Sequence, residues 1–333
     1  MTVKREKPVI GVVLGDTAGI GPEIVAKAAA NGTLAEFGQA VIIADERELK
    51  KGMEIANVQF PYIKADNIDA AIAMDGIVLL DTKAMDAATV SMGMASVTCG
   101  RNAALNVQTA IKYCVQGYFQ GVCFAPNNKK MMKEAGFKLN GAIDLVAGFM
   151  GYEGKKGELS VLGDTWTARV TSHIPLGDVN KVLTIDNIVA TIHLLNDAQK
   201  AAGFQRPHIA VAAFNPHAGE GGTCGMEEIN VIAPAVEKAR EAGVYVEGPY
   251  PADTLFFNLF RGEFDSAVTL FHDQGQIAMK LKGFDKGITV MGGLPYPVTT
   301  CSHGTAYNLA GQGIANPGAW ESAYKLVCRM AQG

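Results

Sequence analysis

The sequence has no closely spaced pair of cysteines. Its six cysteines are dispersed along 333 residues, at Cys99, Cys114, Cys123, Cys224, Cys301 and Cys328. A zinc knuckle or a dithiol redox motif needs two cysteines within a few residues of each other. The spacing argues against both kinds of site. It is typical of reduced thiols in a cytoplasmic protein, and that is the location we predict.

An excess of positive charge and a long apolar run are also missing. The formal net charge is -4, with a pI near 5.9, and the lysines and arginines are scattered. Such a balance gives no electrostatic reason to expect nucleic acid as a partner. The apolar run from Val9 to Leu14 is interrupted by Gly11 and followed by Asp16, so it is too short for a membrane span. We interpret it as the first strand.

Repeats, low-complexity tracts and recognisable linkers are absent as well. A chain of this length, with 48% hydrophobic residues, is long enough for two domains with substantial cores. Because no tether separates them, we expect crossing segments to join the two domains.

The sequence does contain an alternation of strand-like and helix-like segments. Short apolar runs at 40–44, 76–80 and 121–125 alternate with helical patterns at 46–56 and 99–116. Alternation of this kind predicts an α/β fold with a mainly parallel sheet. In such folds the loops at the carboxyl ends of the strands line the ligand crevice.

Three histidines, His173, His217 and His272, each follow a strand-like run and come just before polar or loop-forming residues. Neutral imidazole is a common ligand for divalent transition ions, and three of them leave an open position for a substrate. The spacings of 44 and 55 residues match no short metal motif, so the metal hypothesis depends on placement alone. Structural histidines with satisfied hydrogen bonds are the alternative. His193, inside a helix, and His208, at the start of a strand, are left outside the site.

Two further segments have open interpretations. The turn GDTAGIGPEI, at 15–24, has glycines that permit close approach, and Glu23 complements the positive end of a helix dipole. Its glycine order differs from GxGxxG, so a tight turn and a binding loop remain equally open. Lys129, just beyond another strand, is either an anion ligand or an exposed loop lysine.

Six separated motifs together resemble one protein family. GDTAGIGPEI, TSHIPL, FNPHAGEGG, GPYPADTLF, HDQGQIAMK and CSHGTAYNLAG occur in the order and approximate spacing of the 4-hydroxythreonine-4-phosphate dehydrogenase (PdxA) family. The resemblance covers nearly the whole chain. The ending HGTAYNLAGQGIANP also looks like the adenine-side loop of isocitrate and isopropylmalate dehydrogenases, which share a fold superfamily with this family.

The resemblance implies a fold and an assembly. Each protomer is expected to have two α/β/α domains, as in isocitrate and isopropylmalate dehydrogenases, with the active site in the cleft between them. The first domain would comprise about 1–140 plus 285–333, and the second about 141–284. The second would carry most of the metal ligands and the dimer contacts. A homodimer with shared active sites is implied, in which the neighbouring protomer supplies one metal ligand.

The resemblance also implies an activity. Enzymes of this family use NAD or NADP to oxidise a hydroxyl β to a carboxylate, and the resulting β-keto acid can lose carbon dioxide. A divalent metal would be held by His173, His217 and His272, with zinc expected first and magnesium, manganese and cobalt as alternatives. The chemistry agrees, because a cation stabilises the alkoxide and later the enolate.

Further roles follow from the same resemblance. Lys280 is expected to contact the substrate and to take part in catalysis, and Asp253 and Asp273 to support the metal ligands or to transfer protons. The cofactor contacts carried over from the family are His303, Gly304, Thr305, Ala306 and Asn316.

The chain departs from the family at its phosphate-binding positions. The family motif Gly-His-Thr-Glu falls on Gly141-Ala142-Ile143-Asp144, and a later asparagine and arginine fall on Thr289 and Val298. A phosphate dianion needs several donors or cations, and leaving its charge unpaired costs several kcal/mol. We therefore predict an unphosphorylated substrate. A hydroxy acid or a cis-dihydrodiol carboxylate fits, as for the family's terephthalate dihydrodiol dehydrogenase.

Two alternatives remain open. An authentic enzyme of vitamin B6 biosynthesis, or a phosphothreonate dehydrogenase, would bind phosphate through other groups, such as Lys129, Lys130 or Arg101. A non-catalytic small-molecule binder would have retained the fold alone.

Overall fold

The computed structural model describes residues 7–283 and 286–333, and these form two compact units. Of the described residues, one unit comprises 7–153 and 294–333, and the other comprises 154–283 and 286–293. Within the described residues, no helix combines the length and the apolar character that a membrane crossing requires.

Twelve strands and thirteen α-helices are assigned along the described chain. The strands are β1 (Val9–Val13), β2 (Gln39–Ala44), β3 (Ile63–Ala65), β4 (Ile77–Asp81), β5 (Gly121–Phe124), β6 (Gly157–Leu162), β7 (Thr165–Arg169), β8 (Ile209–Ala212), β9 (Val246–Tyr250), β10 (Ser266–Thr269), β11 (Ile288–Gly292) and β12 (Val298–Cys301). The helices are α1 (Gly21–Ala30), α2 (Thr33–Phe37), α3 (Glu46–Ala56), α4 (Ile68–Ala73), α5 (Val97–Val115), α6 (Lys129–Glu134), α7 (Ala142–Met150), α8 (Val179–Val182), α9 (Ile185–Ala201), α10 (Ala233–Glu241), α11 (Ala252–Phe260), α12 (His272–Gly283) and α13 (Gly318–Met330).

The first unit contains a parallel sheet in the order β3-β4-β2-β1-β5-β12. All residues of β1, β2 and β5 are buried, as expected for parallel strands that are covered on both faces. Helix α13 packs against this sheet through Trp320 and Tyr324, whose stacked rings are 5.7 Å apart and fully buried. The strand order reverses direction between β1 and β5, which is where such sheets place a ligand crevice.

The second unit contains the strands β11-β6-β7-β10-β8-β9. The pairs β11-β6 and β6-β7 are antiparallel, whereas β7-β10, β10-β8 and β8-β9 are parallel. The parallel strands β7, β10 and β8 therefore end at the same edge of the sheet. Each of the three candidate metal ligands follows one of these strands.

The unit boundaries differ from the expected 140 and 285 for reasons of packing. Helix α7 stays with the first unit because Leu145 packs into a cluster with Ala103 and Ala104 of α5. Strand β11 stays with the second unit because it pairs with β6 along its whole length. The expected boundary at 284 and 285 lies outside the described residues.

The elements next to the candidate histidines have the following bounds. Strand β7 lies at Thr165–Arg169 and pairs in parallel with β10 from Trp166 to Arg169. His272 is the first residue of helix α12. Helix α10 is preceded by a π-helical turn at Glu228–Ile232.

Candidate active site

The segments that leave β7 and β10 remain hydrogen-bonded beyond the strands. Thr269 pairs with Arg169 at the end of the register. The amide of Val170 then donates to the carbonyl of Thr269 at 2.8 Å, and the amide of Thr171 donates to the carbonyl of Leu270 at 3.1 Å. This backbone pairing brings the residues that follow the two strands close together.

His173 and His272 are paired at this edge. Their ring centroids are 5.6 Å apart, with an interplanar angle of 42°. Nδ1 of His272 lies 2.7 Å from Oδ1 of Asp273, and the His272 side chain remains 34% exposed. A carboxylate at Nδ1 favours the tautomer with its proton there, which leaves the lone pair of Nε2 for a ligand. The two imidazoles therefore suit a shared cation, and the role of Asp273 stays a prediction.

Gln274 connects α12 to two of the strands. Its Oε1 accepts a hydrogen bond from the amide of Leu270 at 2.8 Å, and its Nε2 donates to the carbonyl of Ala213 at 2.7 Å. One side chain thus links the start of α12, the end of β10 and the end of β8. Sequence reasoning missed this role, although the glutamine lies within the HDQGQ motif.

His217 lies in a loop with an unusual backbone. From His217 to Gly221 all five residues have positive φ, including 53° at His217, 53° at Ala218 and 46° at Glu220. Non-glycine residues rarely adopt this region, and runs of it are found mostly at functional sites. The buried carboxylate of Glu228 contacts the start of this loop, and the sequence analysis did not identify it.

The structure brings His173 and His272 together, but it does not complete a set of three within one chain. Among residues 7–283 and 286–333, no three or more His, Cys, Asp or Glu side chains are grouped so that they could hold a metal ion. His217 therefore does not join the other two histidines as a ligand set within the described chain.

Lys280 and Asp253 occupy exposed positions on helices of the second unit. Lys280 lies on α12, eight residues after His272, and Asp253 lies in the first turn of α11. Oδ1 of Asp253 accepts a hydrogen bond from the amide of Thr254 at 3.0 Å. Both side chains are accessible to a ligand, and their roles stay predictions.

A buried guanidinium at the end of β7 was also missed. Only 5% of the Arg169 side chain is exposed, and burial lowers the pKa of this arginine. Its Nε donates to Oγ of Ser172 at 3.2 Å, and Nη1 donates to Oγ of Ser160 at 3.1 Å. The nearest carboxylate oxygen belongs to Glu158, at 3.8 Å. Because Ser172 directly precedes His173, Arg169 helps to fix the backbone that carries this histidine.

The predicted cofactor residues all belong to the first unit, after β12. The amide of Ile20 donates to the carbonyl of Thr305 at 3.1 Å, and a Cβ on Gly19 would lie 2.9 Å from the same oxygen. Ala306 has a positive φ of 44°. The turn after β1 and the loop after β12 are thus packed closely, which explains why glycine stands at position 19.

The segment before α13 is held by α1. Nζ of Lys27 donates to the carbonyls of Gly313 and Ala315, both at 2.8 Å, and to Oε1 of Glu23 at 2.7 Å. The same Glu23 oxygen accepts the amide of Ala315 at 2.8 Å. Asn316, the last predicted cofactor contact, is therefore next to an anchored residue.

A polar network that includes the buried Asp16 lies at the carboxyl ends of β1, β5 and β12. The hydroxyl of Tyr307 donates to Oδ2 of Asp16 at 2.9 Å and accepts from Nδ2 of Asn128 at 2.9 Å. Burial raises the pKa of Asp16, which the bond from Tyr307 partly offsets, and burial raises the pKa of Tyr307 to about 12. The network links three loops of the first unit, and sequence reasoning did not identify it.

A second buried carboxylate lies next to this network. Oε1 of Glu48 accepts from the hydroxyl of Thr17 at 2.8 Å, and Oε2 accepts from Nδ2 of Asn102 at 3.4 Å. Burial raises the pKa of Glu48 to about 7. Burial therefore favours the neutral form of this carboxyl group.

The four altered phosphate-motif positions differ in accessibility. Ala142 begins α7 and is partly exposed, whereas Ile143 is only 8% exposed and Val298, in β12, is fully buried. Thr289 lies in β11 and is partly exposed. Ile143 and Val298 thus belong to the core of the first unit, and neither side chain carries a hydrogen-bond donor.

The remaining candidates belong to other elements. Lys129 and Lys130 begin α6, and Arg101 lies on α5, all with exposed side chains. His193 lies within α9, and His208 precedes β8, where its ring stacks on Tyr245 at 4.0 Å and its Nε2 contacts Glu247 at 3.1 Å.

Comparisons with known proteins identify relatives along the whole chain. The sequence model of the family described as "Pyridoxal phosphate biosynthetic protein PdxA" matches residues 36–327. A relative from Rhizobium meliloti (strain 1021), provisionally named 4-hydroxythreonine-4-phosphate dehydrogenase 2, is 44% identical over 99% of this chain and 95% of its own. Another, from Bradyrhizobium diazoefficiens, is provisionally named D-threonate 4-phosphate dehydrogenase and is 34% identical over 97% of both chains.

A solved structure extends the likeness to the fold. The 4-hydroxythreonine-4-phosphate dehydrogenase of Klebsiella pneumoniae superposes with a TM-score of 0.86 at 30% identity, over 99% of this chain and 100% of that one. The predicted mixed α/β fold is confirmed.

Proposed function

The chain belongs to the PdxA family, and from this premise we propose that it is a metal-dependent and NAD(P)-dependent dehydrogenase that oxidises a hydroxyl β to a carboxylate. The relatives are named as dehydrogenases, which supports oxidation of a CH–OH group. The observation that carries the proposal is the pairing of His173 and His272 at 5.6 Å, on the segments that follow two adjacent parallel strands.

The residues present fit a divalent cation. His173 and His272 would supply two imidazole nitrogens, and Asp273 already holds Nδ1 of His272 so that Nε2 is free to bind. Imidazole ligands suit zinc, and manganese, cobalt and magnesium remain alternatives. A bound cation would supply a Lewis acid that polarises the substrate oxygen. Lys280 would orient the substrate carboxylate, and Asp253 would accept a proton or support the other groups.

The incomplete histidine set supports a homodimer with shared active sites. We propose that a neighbouring protomer supplies the missing ligand. Large apolar side chains are exposed near all three histidines, as protein interfaces require. They are Ile174, Leu176, Val182, Met226, Ile229, Ile277 and Leu281. Asn180 and Glu227, from two of these segments, are hydrogen-bonded at 3.0 Å, so the exposed residues of the two segments lie close together.

The cofactor would bind to the first unit. The loop after β12, with His303, Gly304, Thr305 and Ala306, lies at the carboxyl edge of a parallel sheet, where such folds bind nucleotides. The close packing of this loop on the turn after β1 keeps its backbone in one conformation. NAD or NADP bound there would accept a hydride from the substrate.

For the substrate, we propose an unphosphorylated hydroxy acid or cis-dihydrodiol carboxylate. The support is the apolar character of Ala142, Ile143 and Val298, since methyl and methylene groups cannot compensate a phosphate dianion. The names of the relatives favour a second candidate, a threonine- or threonate-type phosphate, whose binding would then depend on cations such as Lys129, Lys130 or Arg101.

Turnover assays separate the two candidates. Zinc-reconstituted protein would be assayed for NADH and NADPH formation with hydroxy acids and dihydrodiol carboxylates, and with 4-phosphohydroxythreonine and threonate 4-phosphate. We expect turnover of the unphosphorylated group only. Efficient oxidation of a phosphorylated compound would establish the second candidate and refute the first.

Binding without turnover is the outcome that would refute catalysis. If zinc-loaded protein binds a hydroxy acid and a dinucleotide together but reduces no cofactor, the chain is a small-molecule binder. A His272→Ala variant serves as the blank, because it would lack a proposed metal ligand.

A further inference from the structure

The loop that carries His217 adopts a backbone that its own residues do not favour. The φ values are positive, at 53° for His217, 53° for Ala218 and 46° for Glu220. The neighbouring glycines, Gly219 and Gly221, have φ values of 76° and 65°. Each non-glycine residue in this region is strained relative to the ordinary helical or extended conformations. The conformation must therefore be stabilised from outside the loop.

One buried carboxylate provides that stabilisation. Oε1 of Glu228 accepts hydrogen bonds from the amides of Phe214 at 2.8 Å and Asn215 at 2.7 Å, and its Oε2 accepts from Nδ2 of Asn215 at 2.9 Å. The Glu228 residue is only 3% exposed. Charge-assisted bonds to consecutive backbone amides are strong and direction-specific, so they fix where the chain enters the loop.

The loop is also shaped around this carboxylate. A Cβ on Gly219 would lie 2.6 Å from Oε2 of Glu228 and 3.1 Å from the carbonyl of Gly225. Any side chain at position 219 would displace the carboxylate. Gly219 therefore leaves room for Glu228, in addition to its own positive φ of 76°.

We propose that Glu228 is a positioning residue that holds the His217 imidazole in its metal-binding orientation. Glu228 acts through the backbone of the loop and does not touch the metal. The inference rests on the proposed function, since it takes His217 to be a metal ligand.

Glu227 provides a matched control within the same chain. Its Oε2 also accepts from Nδ2 of Asn215, at 2.7 Å, but neither Phe214 nor Asn215 donates a backbone amide to it. A Glu227→Gln variant removes the same charge one residue away. It leaves the amide contacts of Glu228 in place.

The test is a titration of full-length, metal-free protein with Co²⁺, followed by the visible absorption of the bound ion. We expect Glu228→Gln to weaken Co²⁺ binding about 10-fold or more, which is the usual effect of removing a group that orients a ligand. The Co²⁺ affinity of Glu227→Gln should stay within about twofold of the wild type, because this variant leaves the hydrogen bonds from the backbone amides to Glu228 intact. Activity is not needed for this measurement.

Two further variants keep the test decisive if Glu228→Gln folds poorly. Gly219→Ala retains every charge but displaces the carboxylate, so it should weaken Co²⁺ binding in the same way. Adding Ala218→Gly to Glu228→Gln should recover part of the affinity, because glycine adopts the positive φ at position 218 without strain. Urea unfolding of the same variants would show whether a change in Co²⁺ affinity reflects global stability instead.

The outcomes separate this inference from the function it rests on. If His217→Ala binds Co²⁺ as tightly as the wild type, His217 is no ligand and the positioning role is overturned, whereas the proposed function, which rests on His173 and His272, fails only if His272→Ala also retains full Co²⁺ affinity. If His217→Ala loses affinity while Glu228→Gln and Gly219→Ala retain it, only the positioning role is overturned.

Discussion

The groups proposed for chemistry at the carboxyl ends of the second unit's strands are at least partly exposed, whereas two carboxylates at the strand ends of the first unit are buried. In the second unit, His173, His272 and Lys280 remain accessible, and their immediate supports are other side chains at the edge. In the first unit, Asp16 and Glu48 are completely buried, and burial raises the pKa of each. Accessible groups can exchange water for a ligand, whereas buried groups hold loops in place. The contrast fits the proposed division of roles, in which the accessible histidines of the second unit would bind the metal and the buried carboxylates of the first unit would hold the loops that carry the cofactor.

The largest expected effect is the fall in turnover caused by removing a histidine from the accessible strand ends of the second unit. His272→Ala should reduce kcat/KM on the order of 10³-fold, because a metal ligand contributes several kcal/mol of transition-state stabilisation. Steady-state kinetics with added Zn²⁺ would measure it. His193→Ala, within α9, is the control and should leave kcat/KM unchanged. A His272→Ala variant within tenfold of wild type would contradict the division of roles.

Changes to the buried carboxylates of the first unit should alter the free energy of unfolding rather than turnover. The folded-state pKa of Glu48 is about 7, above its ordinary value of 4.5, so the stability linked to this group is complete below pH 4.5 and is lost as pH rises through 7. The wild type should lose on the order of 3 kcal/mol over that range, and Glu48→Gln should lose none of it.

Urea unfolding of wild type and Glu48→Gln at pH 5 and pH 8 would test this. The two proteins should be similar at pH 5, and the variant should be the more stable at pH 8. Equal slopes of stability against pH for both proteins would show that Glu48 does not titrate in this range.

A smaller effect on turnover is expected from Lys280. Lys280→Met should reduce kcat/KM about 10- to 100-fold, since a charge-assisted hydrogen bond to a substrate carboxylate is worth about 1.5–3 kcal/mol. Lys282→Met is a matched control on the same helix, where Nζ of Lys282 lies over the ring of Phe260 at 5.2 Å. If both variants lose activity equally, the loss reflects the charge of α12 and not a contact to substrate.

The smallest effect concerns the network between three loops of the first unit. Tyr307→Phe removes the hydroxyl that donates to Asp16 and should lower the free energy of unfolding by about 1–2 kcal/mol. Urea midpoints at pH 7 would measure the change. An unchanged midpoint would mean that Asp16 finds another donor and that the network is not what holds these loops.

Elements with strong local signals were predictable from the sequence. Helix α3 was expected over 46–56 and is found there, between a side-chain cap at Asp45 and a left-handed Asn57. The placement of three histidines after strand-like runs came from the same kind of local pattern. The approach of His173 to His272 also required the strand order, which only the folded sheet supplies.

Features that depend on distant contacts were not predictable. The left-handed path through Ala218 and Glu220 has no local signal, because neither residue is glycine and the stabilising Glu228 comes from the following turn. The unit boundaries moved because α7 packs on α5 and β11 pairs with β6. The polar networks were not predicted for the same reason, because the sequence alone does not indicate which hydroxyl donates to which carboxylate.

The amide of Gln274 has a mechanical consequence. Because it joins the first turn of α12 to the ends of both β8 and β10, the helix cannot tilt away from the sheet without breaking both hydrogen bonds together. The segments that follow β8 and β10 should therefore move together with the start of α12. Any motion that admits or releases a small molecule would have to be made by segments other than α12.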